Sequence, residues 1–279
     1  MIVVSLHCQM GNQLFQYAFA KVTAKRLNTF FLPFINSPYH PFKLQYFELD
    51  WFTHVVYGNK YIAHQFKRIC RKLIKYVCKD KITCDDWKSE VVTKNNVFYE
   101  GFFQSEDYFQ GLETQIKKLF SIRKKYINEF DLKYGAFICE NKIIVIHVRR
   151  KDYDEVEFES LGGPGVSLPL AYYYKALDEI EKKNEYQILF IGDDVDSIKA
   201  DFGEKPNYHY EVNSAIVDFQ LIQHADIAII ANSTFAWWAA YLSQKTNSRI
   251  IAPCYWLGFK VKKEFPAGIQ TNKFEWIEF

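Results

Sequence analysis

The sequence predicts an α/β protein made of two domains with parallel sheets that face each other across a cleft. Three features of the 279 residues lead to this prediction. The N-terminus reads as a strand, a tight turn and a helix, and the second half alternates regularly between strands and helices. Between them lies a polar, basic stretch at residues 121–133 that is typical of a domain boundary. We expect one domain over residues 1–135 and another over residues 136–279.

The first domain opens as a nucleotide-binding α/β unit does. An apolar strand at residues 2–7 leads into a turn at residues 9–13 and an amphipathic run at residues 14–27. Proline and glycine predict irregular structure over residues 36–58. The other elements expected in this half are strands at residues 29–32 and 97–103 and a helix at residues 112–120.

Residues 60–81 carry eight basic residues against a single acid, Asp80. Apolar residues between the charges, among them Ile62, Phe66 and Ile69, recur at helical spacing and predict an amphipathic helix. Two interpretations are open. The basic face is solvated, or it holds the chain against anionic lipid headgroups. The second interpretation places the protein at the inner face of the cytoplasmic membrane.

In the second half, apolar strands alternate with helices, which predicts a parallel, doubly wound sheet. The expected strands cover residues 143–148, 187–191, 208–212, 227–231 and 249–252. The expected helices cover residues 170–183, 195–202, 215–224 and 235–243. Ligands bind beyond the carboxyl ends of the strands in such sheets, so the chemistry is expected at those ends.

Composition excludes several classes of function. Lysine and arginine exceed aspartate and glutamate by 35 − 33 = 2, so the charge gives no sign of nucleic-acid binding. The six cysteines lack zinc-site spacing and are expected to be free thiols in a reducing compartment. No signal-peptide core and no apolar run of about 18 residues is found, so a cytoplasmic protein is expected.

The first polar cluster ends the strand at residues 143–148, where His147, Arg149, Arg150 and Asp152 follow in close succession. Adjacent guanidinium groups repel unless an anion compensates them, and the planar fork of arginine binds phosphate oxygens bidentately. In this interpretation Asp152 holds one arginine while the other faces a ligand. The alternative is a strand end whose charges are solvated or form structural ion pairs.

The second cluster consists of Asn232, Ser233 and Thr234, between a strand and the helix expected at residues 235–243. Such residues commonly cap a helix. They equally form a phosphate site, because N–H groups, hydroxyls and the positive end of the helix dipole meet there. The sequence leaves both interpretations open.

The third cluster, Asp193 and Asp194, follows the strand at residues 187–191 and opens a helix. The carboxylates either complement the helix dipole or accept the two N–H groups that guanine presents together. A magnesium or manganese site ranks third, because arginine already neutralises phosphate. The Gly11-Asn12 turn is weak evidence for a nucleotide, since the full glycine-rich dinucleotide pattern is missing.

Together these segments resemble the motifs of bacterial α-1,2-fucosyltransferases of glycosyltransferase family 11. The matching segments occur in the family's order and are residues 10–18 (MGNQLFQYA), 99–109 (YEGFFQSEDYF), 147–153 (HVRRKDY) and 231–238 (ANSTFAWW). The resemblance implies a GT-B-like fold of two Rossmann-type domains. Residues 1–135 would then form the acceptor-side domain and residues 136–279 the donor domain.

The resemblance also implies an activity, the inverting transfer of fucose from GDP-fucose to an oligosaccharide with a terminal galactose. No metal and no further cofactor is implied. The product would be a surface polysaccharide such as the O-antigen of lipopolysaccharide. The acceptor would in that case be a free or a lipid-linked glycan.

The resemblance assigns roles to individual residues. Arg149 holds the donor diphosphate and is a catalytic candidate together with Asp152. Asn12 contacts the donor from the first domain, and Asp193 or Asp194 reads guanine. The full set assigned to the donor is Asn12, His147, Arg149, Arg150, Asp193, Asp194, Asn232, Ser233 and Thr234.

The sequence departs from the family pattern at a few positions and leaves the general base open. Lys151 stands where the family usually has glycine, and Gly192 and Ala236 replace residues that are more often serine. The acids of the following glycine-containing loop, which is expected to be a mobile lid, are read as solvated rather than catalytic. They are Glu155, Glu157 and Glu159.

Two other functions remain open from the sequence. One is a glycosyltransferase that uses a different nucleotide sugar. The other is a non-catalytic protein that binds a nucleotide or a glycan, which would bind GDP without turning over a donor.

Overall fold

The computed structural model describes residues 1–35, 41–88 and 90–279, and these fall into two compact units. The first comprises Met1–Arg123 with Pro266–Ile269, and the second comprises Lys124–Phe265 with Gln270–Phe279. The chain thus enters the second unit after Arg123 and not after residue 135. Residues 124–135 pack in the second unit, where Phe130 stacks on His224 at 5.1 Å and Gln220 donates a hydrogen bond to the Tyr126 carbonyl.

The first unit contains a parallel sheet with helices packed on it. Its strands are β1 (Ile2–Ser5), β2 (Phe31–Phe34), β3 (Asp80–Thr83) and β4 (Val97–Glu100). Its helices are α1 (Met10–Arg26), α2 (Trp51–Tyr57), α3 (Lys60–Val77) and α4 (Glu113–Leu119). In the described residues the strand order is β2–β1–β4–β3, with every pair parallel. β1 is entirely buried because it lies between β2 and β4 and is covered by α1.

Two parts of this unit differ from the sequence prediction. The basic helix ends at Val77 instead of residue 81, because Asp80–Thr83 pairs along the edge of β4 as strand β3. The segment predicted to be irregular contains α2. This helix forms by packing on α3, where the ring centres of Phe52 and Phe66 lie 5.5 Å apart. Residues 36–40 of that segment lie outside the described residues.

The second unit, all of whose residues are described, contains six strands in one parallel sheet. They are β5 (Ile143–Val148), β8 (Gln187–Gly192), β9 (Tyr208–Tyr210), β10 (Ile227–Ile229), β11 (Arg249–Pro253) and β12 (Glu275–Ile277). A separate antiparallel pair is formed by β6 (Glu157–Phe158) and β7 (Gly163–Pro164). The helices are α5 (Lys124–Phe130), α6 (Ala136–Glu140), α7 (Asp152–Glu155), α8 (Leu170–Asp178), α9 (Val195–Phe202), α10 (Ala215–His224) and α11 (Thr234–Tyr241).

The strand order of this sheet, β12–β11–β10–β5–β8–β9, confirms the predicted parallel, doubly wound arrangement. From β5, whose residues are all buried, the chain moves outward through β8 to β9. It then returns to the other side of β5 and continues through β10, β11 and β12. The order therefore reverses between the carboxyl ends of β5 and β10, and ligands bind at such a reversal point.

Within the part of the chain that the structure describes, no helix has the length and apolar character needed to cross a bilayer.

Candidate active site

The polar clusters that follow β5 and β10 meet where the strand order reverses. The backbone N–H of Ala231, just beyond β10, donates to the carbonyl of His147 in β5 at 3.1 Å, so the two strand ends are joined directly. At a reversal point the two connections leave the sheet on opposite faces and open a crevice between the strand ends. Two of the three clusters predicted from the sequence therefore lie side by side.

Arg149 is held between two carboxylates at the end of β5. Its Nη2 donates to Oδ2 of Asp152 at 2.7 Å, and its Nε lies 3.4 Å from Oδ2 of Asp193. Burial alone would lower the pKa of Arg149, but the hydrogen bond to Asp152 and the charges of both carboxylates raise it. Arg149 is thus a permanently charged group with a fixed orientation.

Arg150 has a different set of partners. Its guanidinium forms an ion pair with Asp201 and a hydrogen bond with Ser197, both in α9. Its backbone N–H donates to Oδ1 of Asp193 at 3.0 Å. The two arginines therefore do not act as one pair. The side chain of Arg150 fixes α9 to the end of β5, whereas Arg149 contacts Asp152 and Asp193.

Tyr153 is a site residue that the sequence reasoning missed. Its ring centre lies 5.5 Å from Cζ of Arg149. Its hydroxyl donates to the Asn232 carbonyl at 3.2 Å and is hydrogen-bonded to the side chain of Ser233. Burial raises the pKa of Tyr153 to about 12, so the hydroxyl remains protonated. One side chain thus contacts both Arg149 and Ser233 and brings them into a single site. Its position directly after Asp152 in the HVRRKDY segment was the available signal.

Ser233 precedes α11 but does not act as an ordinary helix cap. Among the described residues, no first-turn N–H of α11 donates to its side chain, which instead contacts Tyr153. The first N–H groups of a helix have no acceptor within the helix, and the helix dipole adds partial positive charge there. The side chain of Ser233 therefore does not have the capping role, and phosphate binding by this cluster stays a prediction.

His147 and Asn232 are buried beside these groups, and each has a polar atom without a partner among the described residues. Asn232 donates through Nδ2 to the Val166 carbonyl at 2.8 Å, which leaves Oδ1 unbonded. Nδ1 of His147 is likewise unbonded. Burial, with a contribution from the charge of Arg149, lowers the pKa of His147 to about 3, so the ring is neutral at physiological pH. Buried polar atoms of this kind are costly and are typical of functional sites.

The two carboxylates after β8 have separate structural partners. Asp193 contacts Arg149 and the backbone of Arg150. Asp194 caps α9, since its Oδ1 accepts from the N–H of Ser197 at 3.4 Å. Because that contact is long, Asp194 is the carboxylate with more capacity to bind a base. In the described residues, no group of three or more His, Cys, Asp or Glu is arranged to hold a metal ion.

Asn12 lies in the first unit. The turn predicted at residues 9–13 is mostly helical, because α1 already begins at Met10, and Asn12 lies in its first turn. Its Oδ1 accepts a hydrogen bond from Nε2 of Gln104 at 2.8 Å. Asn12 is therefore fixed close to the carboxyl end of β1, the central position at which a parallel sheet binds ligands.

The loop after Asp152, predicted to be a mobile lid, contains the antiparallel pair β6–β7 and is hydrogen-bonded to the rest of the second unit. The N–H of Gly165 donates to the Val156 carbonyl at 2.8 Å, and Nζ of Lys260 donates to the Gly165 carbonyl at 2.6 Å. These contacts do not favour a lid. The three acids of the loop, Glu155, Glu157 and Glu159, are exposed, as solvated acids are.

Lys151, the residue found where the family usually has glycine, has a strained backbone. Its φ of 26° lies in the left-handed region that non-glycine residues rarely adopt. The strain is located between Arg150 and Asp152, where the chain turns from β5 into α7. A glycine would adopt this conformation with less strain, because it has no Cβ, which gives the family's usual residue a physical reason.

Comparison with known proteins shows which family the chain resembles. The model of the family described as Glycosyl transferase family 11 matches residues 80–278. The chain is 28% identical to the O-antigen biosynthesis glycosyltransferase WbnK of Escherichia coli, over 88% of this chain and 92% of that protein. It is 25% identical to an alpha-1,2-colitosyltransferase of Escherichia coli, over 91% of this chain and 92% of that protein.

Among solved structures, the NodZ alpha-1,6-fucosyltransferase soaked with GDP-fucose aligns with a TM-score of 0.51. The alignment covers 88% of this chain and 96% of that chain at 13% sequence identity. This similarity confirms the predicted GT-B-like α/β fold class.

Proposed function

Since the chain belongs to glycosyltransferase family 11 and is thus a glycosyltransferase, we propose that it transfers fucose from GDP-fucose to the 2-hydroxyl of a galactoside. The four motif segments that resemble α-1,2-fucosyltransferases support the donor and the linkage. The alpha-1,2 activity of the colitosyltransferase relative also supports the linkage. The role of WbnK in O-antigen biosynthesis supports a surface polysaccharide as the product.

One observation carries the proposal. Arg149 and Ser233, the residue directly before α11, both contact Tyr153 at the point where the strand order of the second unit's sheet reverses. A fixed guanidinium and a helix N-terminus are complementary to a diphosphate, because one supplies a full positive charge and the other supplies N–H donors. We assign the donor diphosphate to this site. Arg149, Ser233 and Thr234 bind its oxygens.

The chemical step needs the departing GDP to be stabilised. Negative charge grows on the β-phosphate as the sugar–oxygen bond breaks. The acceptor hydroxyl attacks from the opposite face and releases its proton to water, so the anomeric configuration inverts. Arg149 and the N-terminus of α11 are already oriented before this charge develops, so they stabilise it without reorganisation. In this scheme they take the place of a metal ion, and chelators leave the rate unchanged.

The neighbouring residues position these groups or bind the rest of the donor. Asp152 orients Arg149 through the 2.7 Å hydrogen bond and is a positioning residue in the catalytic pair. His147 and Asn232 offer their unbonded buried atoms to the donor. Arg150 holds α9 in place, and Asp193 holds Arg149 and the backbone of Arg150. Asp194 accepts the N–H groups of guanine.

We assign the donor to the second unit and the acceptor to the first. The doubly wound sheet with its cluster at the reversal point supports the first assignment. In the first unit, Asn12 near the end of β1 is assigned a contact to the donor. The acceptor is an oligosaccharide with terminal galactose, carried on a lipid at the cytoplasmic face of the membrane. The net charge of only +2 does not favour nucleic acid as a partner.

A second donor is supported by the relative named as an alpha-1,2-colitosyltransferase, which transfers colitose instead of fucose. The test is a donor screen that measures GDP release from GDP-fucose and GDP-colitose, with β-galactosides as acceptors and with or without a chelator. We expect acceptor-dependent release from GDP-fucose at a rate that the chelator does not change. Preference for GDP-colitose would replace the donor assignment. GDP binding without turnover of any donor would refute the enzymatic proposal.

A further inference from the structure

The helix α3 presents an unusual surface for a helix that packs on a sheet. Among residues 60–77, all of them described, Cys70 is the one that is buried. The helix rests on the sheet through Cys70, with Phe66 and Ile74 packed beside it against Val3, Leu32 and Phe34. The sheet covers this strip, and the rest of the helix faces outward.

Much of the uncovered surface is apolar. Ile62, Ile69, Leu73 and Tyr76, which we call the apolar stripe, recur at spacings of three, four and seven residues and so form one line along the helix. All four side chains are exposed, Ile69 by 62% and Tyr76 by 85%. A helix that only packed on its own protein would turn such a line inward.

The neighbouring helix extends this surface. In α2, Trp51 is 77% exposed, and Phe52 and Val55 are also exposed. Tryptophan and tyrosine are the side chains enriched where a bilayer meets water, because each combines an apolar ring with a polar group. Phe52 also lines an apolar cavity of about 570 Å³ together with Phe30 and Leu32. The apolar surface therefore continues beyond α3.

The charge beside the stripe has one sign. Residues 60–77 contain six lysines and arginines and no acid. Arg68 and Lys72 are exposed. Lys72 lies three positions after Ile69 and four before Tyr76, so it is beside the stripe on the helix surface, and Arg68 lies one turn before Lys72. Cations next to an exposed apolar line fit a surface that is anionic outside and apolar beneath. A nucleic acid would complement the charge but not the aliphatic side chains.

We propose that α3, together with the exposed apolar residues of α2, docks the first unit on an anionic phospholipid bilayer. The apolar stripe lies at the level of the acyl chains, and Arg68 and Lys72 lie at the phosphates. The inference does not rest on the proposed function, because it concerns a surface of the first unit and is tested without donor or acceptor.

The experiment is vesicle co-sedimentation of the full chain. Vesicles of phosphatidylcholine and phosphatidylglycerol in equal parts are compared with pure phosphatidylcholine at about 0.05 M and about 0.5 M salt. We expect binding to the anionic vesicles that weakens at high salt and little binding to the neutral ones. The double variant Arg68→Glu/Lys72→Glu should bind about thirty-fold more weakly or worse. The variant Ile69→Gln/Tyr76→Gln should bind at least tenfold more weakly, because less apolar surface enters the bilayer.

Matched controls come from the second unit. Lys124→Glu/Lys125→Glu makes the same charge change, and Leu132→Gln/Val212→Gln makes the same polarity change at side chains exposed by 90% and 79%. Both should bind as the parent does, and all variants should keep its circular dichroism and melting temperature.

Three results would overturn the proposal. The first is no binding to anionic vesicles at low salt. The second is binding that the α3 variants do not weaken, or that only the charge variant weakens, which would indicate a site for another polyanion. The third is a dimer in light scattering that the Ile69→Gln/Tyr76→Gln variant dissociates, which would show that the stripe contacts a second copy.

Discussion

Replacing Arg149 should impair transfer far more than stability. In Arg149→Ala, loss of a preorganised contact to the leaving diphosphate costs about 3 kcal/mol, roughly a hundredfold in kcat. Asp193, whose side chain is only 17% exposed, would lose this cationic neighbour and remain as a carboxylate close to the donor phosphates. At an effective dielectric constant of about 20 this repulsion adds about 1–2 kcal/mol, or about tenfold. We therefore expect a loss of about a thousandfold.

The effect on folding should be small. Asp152, the closer of the two carboxylates, is 55% exposed, and ion pairs at that exposure contribute less than about 1 kcal/mol. Asp193 keeps the backbone N–H of Arg150 as a hydrogen-bond donor in the variant. For a chain of this size the melting temperature should fall by only about 2–4 °C. A collapse of stability would instead indicate that the guanidinium holds the fold together.

The assay is acceptor-dependent GDP release from GDP-fucose by three variants. Arg149→Lys keeps the positive charge, but lysine has one nitrogen where arginine uses two to contact Asp152 and Asp193. The loss of activity in this variant should therefore be intermediate. Adding Asp193→Asn to Arg149→Ala should restore activity about tenfold over Arg149→Ala alone, because it removes the unpaired carboxylate. Near-normal turnover by a folded Arg149→Ala protein would refute the reasoning. No recovery in the double variant would refute the part assigned to Asp193.

Four further predictions concern single residues. Tyr153→Phe keeps the ring beside Arg149 but loses the hydrogen bonds to Asn232 and Ser233, so kcat should fall about tenfold in the same assay; an unchanged kcat would contradict the linking role. Gly192→Ala places a Cβ 2.2 Å from the Val148 carbonyl oxygen, so the melting temperature should fall by about 10 °C. An unchanged melting temperature would show that β5 and β8 can move apart without cost. Lys151→Gly relieves the strained φ of 26° and should raise the melting temperature by about 3 °C; a decrease would show that the lysine side chain outweighs the strain. Burial raises the pKa of Asp218 from 3.8 to about 7, although Asn213 and Lys133 oppose the shift. Between these two pH values the folded state therefore binds a proton that the unfolded state has released. Stability should therefore fall as the pH rises from about 4 to about 7, and urea titrations of Asp218→Asn should lack that fall.

The second unit could be predicted well because its sequence signals are local. The strand Ile143–Val148 and the helices Val195–Phe202 and Ala215–His224 have the bounds expected from apolar runs, acidic helix starts and periodicity. In the first unit the same rules failed where a partner decided the structure. Asp80 and Lys81 continue the charged run of the preceding helix in the sequence, and only the free edge of β4 makes Asp80–Thr83 a strand.

The site could be predicted as a region but not as a set of contacts. Strand ends place His147, Arg149 and Ser233 near one another once the sheet is known to be parallel. That Arg150 turns to Asp201 is decided by the packing of α9, which no local pattern encodes. Tyr153 was missed for a related reason, since its hydroxyl bonds to a residue 79 positions away along the chain.

The most direct test of the account is a crystal structure of the protein with GDP bound. We predict that oxygens of the β-phosphate lie within about 3 Å of the Arg149 guanidinium and of the Ser233 hydroxyl or the first N–H groups of α11. A diphosphate bound elsewhere, with Arg149 still held only by Asp152 and Asp193, would contradict the central claim.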